Sequence, residues 1–215
     1  MDTREGFMKR FRDVFGDNRK TEWRRLAEEI GGDYDEGGLV KMYQVHLRHR
    51  DWDIEMDTVS ERRGQAQRSY TRIAAGFVKK TDFNFGISMQ TPVSQAFEYL
   101  GAQDILIGIP EFDDKFVVKG EDERLVRLIL RDEKLRGFIQ TMGEATFFVS
   151  GRGGVWRKTY HDDIHEVIYS HKGIVTDVEY LKRMFMMVAY LLDLLVANGI
   201  ASEEPVTTTA YDTVP

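Results

Sequence analysis

The stretch TYHDDIHEVIYSHKG, residues 159–173, sets three of the chain's five histidines beside Asp162, Asp163 and Glu166. Imidazole and carboxylate are ligands for zinc and other divalent metals, and the same groups serve general acid–base hydrolysis. The donors of a metal site must converge on one point about 2 Å from each nitrogen, so spacing tests the idea. In a strand rising about 3.3 Å per residue, His161 and His165 share a face but stand ~13 Å apart, and His165 and His171 ~20 Å apart. In a helix starting at Asp162 or Asp163, which Ile164, Val167 and Ile168 permit, His161 precedes the helix, and six positions from His165 to His171 make about 600° of rotation. Neither conformation gathers the three. A metal-assisted hydrolase would need His46 or His49 to arrive from elsewhere, and the expectation is no metal and no cofactor. The segment is expected to form a polar-faced edge or outer strand, turning at Gly173.

Other chemical-looking groups fare similarly. Glu111, Asp113 and Asp114 in PEFDDKF offer carboxylates for acid–base work, but no partner nucleophile is identifiable, and adjacent aspartates before a strand commonly end a loop. GRGGVW, from Gly151, lacks the Lys-Ser/Thr of a phosphate-binding loop and reads as a hairpin turn between two strands, ATFFVS and VWRKTYH. No G-x-S-x-G, H-E-x-x-H or dinucleotide fingerprint is present. The absence of cysteine removes thiolate ligands, thiol nucleophiles and disulfides, and the expected compartment is the cytoplasm. A net charge of −6 argues against nucleic acid as a partner, because phosphate neutralisation needs a surplus of Lys and Arg.

The N-terminus presents a different chemistry. Phe7, Phe11, Val14 and Phe15, with Met8, recur at helical spacing and are flanked by Lys9, Arg10 and Arg12. Apolar burial combined with basic flanks suits a helix lying on an anionic membrane surface or against a partner protein; the same stripe also suits packing on the protein's own body. These four residues are the candidate contact site. The run from Met184 to Ala201 is 18 residues long but carries Asp193 and Asn198, and reads as a buried helix in preference to a membrane span.

The elements that must position these groups follow from periodicity. A helix over 20–30 buries Trp23, Leu26, Ala27 and Ile30 and stops at Gly31 and Gly32. Alternation around Val45 and around Ile54 predicts a hairpin turning near Arg50 and Asp51. Residues 69–78 and 83–89 read as a second hairpin through KKTD, and Pro92 as the start of a short helix. KFVVKG is a strand, 121–142 one long or two short helices, and Thr176 with Glu179 a capping box opening a long apolar helix to Asn198, stopped by Gly199. The fold class is therefore α+β, with an antiparallel sheet packed against helices on one face. A recurrent order of helix, Gly, strand, Gly-Gly turn, strand suggests two similar halves, 17–104 and 105–200, within one domain (17–200). An amphipathic helix (1–16) precedes it, and a disordered tail (201–215) follows.

The segment PEFDDKFVVKGEDERLVRLIL, followed by IYSHKGIVTDVEYLKRMFMMVAYLLDLL, resembles a pattern in uncharacterised bacterial and archaeal domain-of-unknown-function proteins. It has a Phe-Asp-x-x-Phe-x-Val-Lys strand, a Val-Arg-x-x-Leu helix and a closing helix after a Gly-x-x-x-Asp turn. The matching positions here are Phe112, Asp113, Phe116, Val118, Lys119, Val126, Arg127, Ile129, Leu130, Gly173 and Asp177. The resemblance covers the C-terminal half and implies ancestry without an activity. Physically, Phe112 and Phe116 are expected to anchor the strand, and Lys119 to pair with an acid on the next helix.

Three functions are compatible with these residues. The first is a non-enzymatic binding or scaffolding protein, cytoplasmic and peripheral to the membrane, acting through protein partners or an anionic membrane surface. The second is a small apolar-ligand binder using a groove between sheet and helix, as helix-grip and TATA-binding-like sheets form one. The third is the metal-assisted hydrolase.

Overall fold

A computed structural model describes residues 18–37, 43–63, 66–89, 104–151 and 163–206. Eight strands form one antiparallel sheet. In chain order they are β1 (Asp33–Asp35), β2 (Gln44–His49), β3 (Trp52–Arg63), β4 (Ala66–Val78), β5 (Phe85–Met89), β6 (Phe116–Gly120), β7 (Ala145–Ser150) and β8 (Ile164–Lys172). Across the sheet they run β1-β2-β3-β4-β8-β7-β5-β6. Among the described residues the helices are α1 (residues 18–30), α2 (Pro110–Asp113), α3 (Glu123–Leu130), α4 (Glu133–Gln140) and α5 (Val178–Ala197). The expected α+β class with an antiparallel sheet is what the chain forms.

Local chemistry sets the element ends. α1 closes at Gly31, whose φ of 69° only glycine adopts without strain, and the Gly32 amide donates back to the Ala27 carbonyl at 2.8 Å. A Cβ on Gly32 would run into the His46 carbonyl, so glycine also permits β1 to approach β2. The β2–β3 hairpin turns at Arg50, φ 51°, as expected. Asp122 and Asp132 each accept an amide from the first turn of α3 and α4, which makes two short helices of one amphipathic run. At α5 the capping residue is Asp177, accepting from the Tyr180 amide at 2.9 Å. The helix therefore starts one residue later than a Thr176 box would place it. Gly199, φ 70°, ends it as expected.

Two expectations about the strands are corrected. β4 and β5 do not pair: β4 lies between β3 and β8, and β5 between β7 and β6. Residues 79–84 cross from one to the other instead, with the Lys80 amide donating to the Ile200 carbonyl at 2.7 Å. β8 is a central strand, paired on both sides and buried along most of its length. Its histidines alternate with Glu166, Ile168 and Ser170, all of which are buried too, so the polar look of the segment did not mean solvent. The expected strand VWRKTYH lies outside the described residues, as do the segments holding Pro92, residues 1–17 and residues 207–215.

Side chains from all five helices meet one face of the sheet in a single core. Met56, Ile73, Tyr169, Phe147, Ile87 and Val118 succeed one another in register across six strands of that face. Trp23 and Leu26 of α1, Phe112 of α2, Val126 of α3, Leu135 of α4 and Phe185 and Leu192 of α5, all fully buried, close over them. Fully burying a Leu or Phe side chain contributes about 1.5–3 kcal/mol, which makes α5, with ten buried side chains, the main cover of the sheet.

Candidate functional site: the second face of the sheet

Side chains alternate along a strand, so each strand also presents residues to the opposite face. At the sheet's centre that face is buried as well, although its residues belong to none of the helix-covered core. Tyr70 is 0% exposed, Phe148 and Ile168 1%, Ile164 3% and Ala74 7%. Burial this deep means the central strands are packed on two sides, with the described helices all on the first. The sequence sign of this was available: YTRIAAGFV and TFFV are near-continuous apolar runs, which is the pattern of strands buried on both faces.

Through this apolar face runs a line of polar residues. Asp57 of β3 pairs in register with Arg72 of β4, Arg72 with Ser170 of β8, Ser170 with Thr146 of β7, and Thr146 with Ser88 of β5. Directly paired residues project to the same side, so the five form a row across five strands. All are buried, with Ser88 and Thr146 at 0% and Ser170 at 1%. Beside them lies the parallel row Ala74, Ile168 and Phe148, also in register.

The two ends of the polar row differ in chemistry. At one end the Arg72 guanidinium donates to both Asp57 oxygens, at 2.9 and 2.6 Å, and approaches Glu55 at 3.8 Å. Burial by itself would weaken the guanidinium's hold on its proton. The Asp57 hydrogen bond and charge, with the charges of Glu166 and Glu55, more than reverse that, and Arg72 sits above its ordinary value. At the other end, the hydroxyls of Ser88, Thr146 and Ser170 are fully shielded and have no hydrogen-bond partner among the described residues. The three hydroxyls stand next to one another in register but do not bond to one another. A buried polar group left unpaired costs roughly 1–3 kcal/mol, so three in one row call for a partner or a purpose.

The candidates drawn from the sequence are placed elsewhere. Phe7, Phe11, Val14 and Phe15 lie outside the described residues, as does His161. Among the described residues no group of three or more histidines and carboxylates is arranged to hold a metal. His46 Nδ1 faces Asp53 at 3.1 Å, and His49 Nε2 meets Asp193 of α5 at 3.0 Å, where Arg50 joins the same carboxylate. Neither reaches the β8 histidines. His165 and His171 point into the helix-covered side. The His165 Nδ1 lies 3.2 Å from the Phe83 carbonyl, and Gly151 is so close that a Cβ there would strike the His165 ring. His171 stands edge-on to Tyr180, whose hydroxyl bonds that of Tyr169 and the Met142 carbonyl. Burial holds both imidazoles below the ordinary histidine value and pushes the Tyr169 phenol well up.

The acidic group is structural: Asp113 accepts the amides of Ile107, Gly108 and Ile109 at 2.8, 2.8 and 3.1 Å, tying the approach to α2. Phe112 and Phe116, both buried, meet with their ring centroids 4.9 Å apart and tilted by 37°. Lys119 approaches Asp104, at 3.8 Å, ahead of the strand, where an acid on the following helix was expected. No described helix is long and apolar enough to cross a membrane.

No family model and no curated protein matches the chain. Among solved structures it is similar to the crystal structure of the mycobacterial trehalose monomycolate transport factor A. The TM-score is 0.51 at 12% identity, over 89% of this chain and 99% of that one. At that identity the likeness is one of fold.

Proposed function

We propose that this protein is a non-enzymatic binding protein whose ligand is a small apolar or amphipathic molecule held at the second face of the sheet. The observation that carries this reading is the buried row of hydroxyls, without hydrogen-bond partners among the described residues, set among Phe148, Ile168 and Ala74. Ligand sites are characteristically apolar surfaces with a few convergent polar groups, and this face has that composition. Similarity of fold to a protein named as a transport factor is in keeping with binding without chemistry. Fold alone does not carry function, so the weight rests on the residues of the face.

The test is native mass spectrometry of protein purified without detergent or denaturant. The reading expects a species heavier than the polypeptide that collapses to the bare mass after organic extraction. Bare mass throughout, with no gain on incubation with a neutral apolar probe such as N-phenyl-1-naphthylamine, contradicts it.

A second contact is proposed at the N-terminus, where Phe7, Phe11, Val14 and Phe15 alternate with Lys9, Arg10 and Arg12. Such a stripe suits docking on an anionic bilayer surface.

A further inference from the structure

Resting on the membrane contact proposed for the N-terminal stripe, we infer that the projecting end of the β3–β4 hairpin, residues 60–69, forms with Lys172 and Ile174 a docking surface for an anionic phospholipid bilayer. β2 accompanies β3 only as far as Met56, and β8 accompanies β4 only from Thr71. Beyond those points four pairs, from Ser60 with Ser69 to Arg63 with Ala66, continue as two strands alone among the described residues. At about 3.4 Å per residue they carry the hairpin roughly 13 Å past the sheet. A two-stranded ribbon standing by itself is marginal in water, and here Ser60, Gln67 and Arg68 are exposed.

The arm is basic: SERRGQAQRS holds Arg62, Arg63 and Arg68 against Glu61, in a chain whose net charge is −6. At its root stands an exposed apolar side chain. Gly173 donates its amide to the Ser69 carbonyl at 2.8 Å, while the Thr71 hydroxyl donates to the Gly173 carbonyl and accepts the Val175 amide, both at 2.9 Å. Those bonds pin Ile174, 49% exposed, beside the arm, with Lys172 exposed on the other side of Gly173. Asp177, the nearest carboxylate along the chain, is engaged in capping α5. The same end of the molecule receives the N-terminal segment. Arg19, in the first turn of α1, donates to the Thr58 hydroxyl at 3.4 Å, and Trp23 donates to the Val175 carbonyl at 2.9 Å. The chain that bears Phe7, Phe11, Val14 and Phe15 therefore joins the described fold next to the root of the arm. Basic groups drawn to anionic headgroups, with apolar side chains entering among them, make a peripheral membrane surface, and one weak anchor needs a second to hold. Nucleic acid would engage the arginines but leave Ile174 and the phenylalanines idle, and the acidic balance of the chain opposes a long polyanion.

The experiment measures, by flotation, how full-length protein partitions onto phosphatidylcholine vesicles with and without phosphatidylserine. Wild type is compared with the triple variant Arg62→Gln, Arg63→Gln, Arg68→Gln, with the matching triple lysine variant, with Ile174→Ser and with protein lacking residues 1–16. The inference expects wild type to bind only the vesicles that contain phosphatidylserine. The glutamine variant is expected to bind them about tenfold or more weakly, since each basic residue near such a surface contributes about a factor of five. The lysine variant keeps the charge and is expected to stay within about twofold of wild type, and Ile174→Ser to bind about threefold or more weakly. All are expected to unfold at the wild-type temperature, because none of the altered residues belongs to the core. Wild-type affinity in the glutamine variant, while removal of residues 1–16 abolishes binding, overturns the arm and leaves the N-terminal contact standing. Equal losses in the lysine and glutamine variants give the arginines a structural role and also overturn it. No binding of wild type to vesicles with phosphatidylserine, or binding to duplex DNA in their place, overturns both.

Discussion

Arg72 and Asp57 show how much a single buried pair matters at the residue scale. Replacing Arg72 with Met leaves Asp57 buried beside Glu55 without its bidentate donor, and breaking such a pair from one side costs about 3–5 kcal/mol. The double variant Arg72→Met with Asp57→Leu is expected to recover most of that loss in urea unfolding, because it removes both charges. Asp113→Ala strands three backbone amides and is expected to lower stability by about 2 kcal/mol in the same assay. For His165, burial depresses the folded-state value below its unfolded one, so the unfolded chain binds more protons on the acid side. Stability is therefore fully present above about pH 6.5 and is lost as pH falls below it. His165→Gln is expected to flatten the unfolding temperature between pH 7 and 5; an unchanged slope would remove His165 as its source. Of these residues, Asp113 was legible in the sequence as a loop-ending group. The hydroxyl row was not, since Ser88, Thr146 and Ser170 are dispersed over more than eighty positions and meet only through strand pairing.

Periodicity served well where one face of an element is wet. The β2–β3 hairpin alternates cleanly because Gln44, His46 and Arg48 keep contact with solvent on the side opposite Val45 and the half-buried Leu47. α5 was equally legible, as its apolar residues occupy nearly every side and the helix is buried along one long face. The alternation rule failed for β8, whose two faces are both buried, and there polar residues were taken for a solvent side. Pairing of β4 with β5 was suggested by their closeness in sequence, but two other strands, β8 and β7, lie between them. The N-terminal element makes a prediction of its own. Full-length protein is expected to float with vesicles containing phosphatidylserine, and protein lacking residues 1–16 to remain in the bottom fraction; equal partitioning of the two would end a membrane role for Phe7, Phe11, Val14 and Phe15.

At the scale of the whole molecule, the sheet is the organising object. One face is covered by the described helices around a shared core. The other is buried at its centre, carries apolar side chains and is crossed by a polar row that is paired at the Arg72 end and, among the described residues, unpaired at the hydroxyl end. The fold class was readable from alternation and helix caps alone, whereas this asymmetry depends on strand order, which no local pattern encodes. The likeness to a transport factor at 12% identity is one of fold, and function has to be argued from the face itself. The central claim is that this face retains a small molecule, and native mass spectrometry of gently purified protein tests it most directly. The account predicts a mass above that of the polypeptide, or a stoichiometric gain on adding monolauroylglycerol, lost on organic extraction. A bare polypeptide mass that no apolar or amphipathic probe shifts would contradict it.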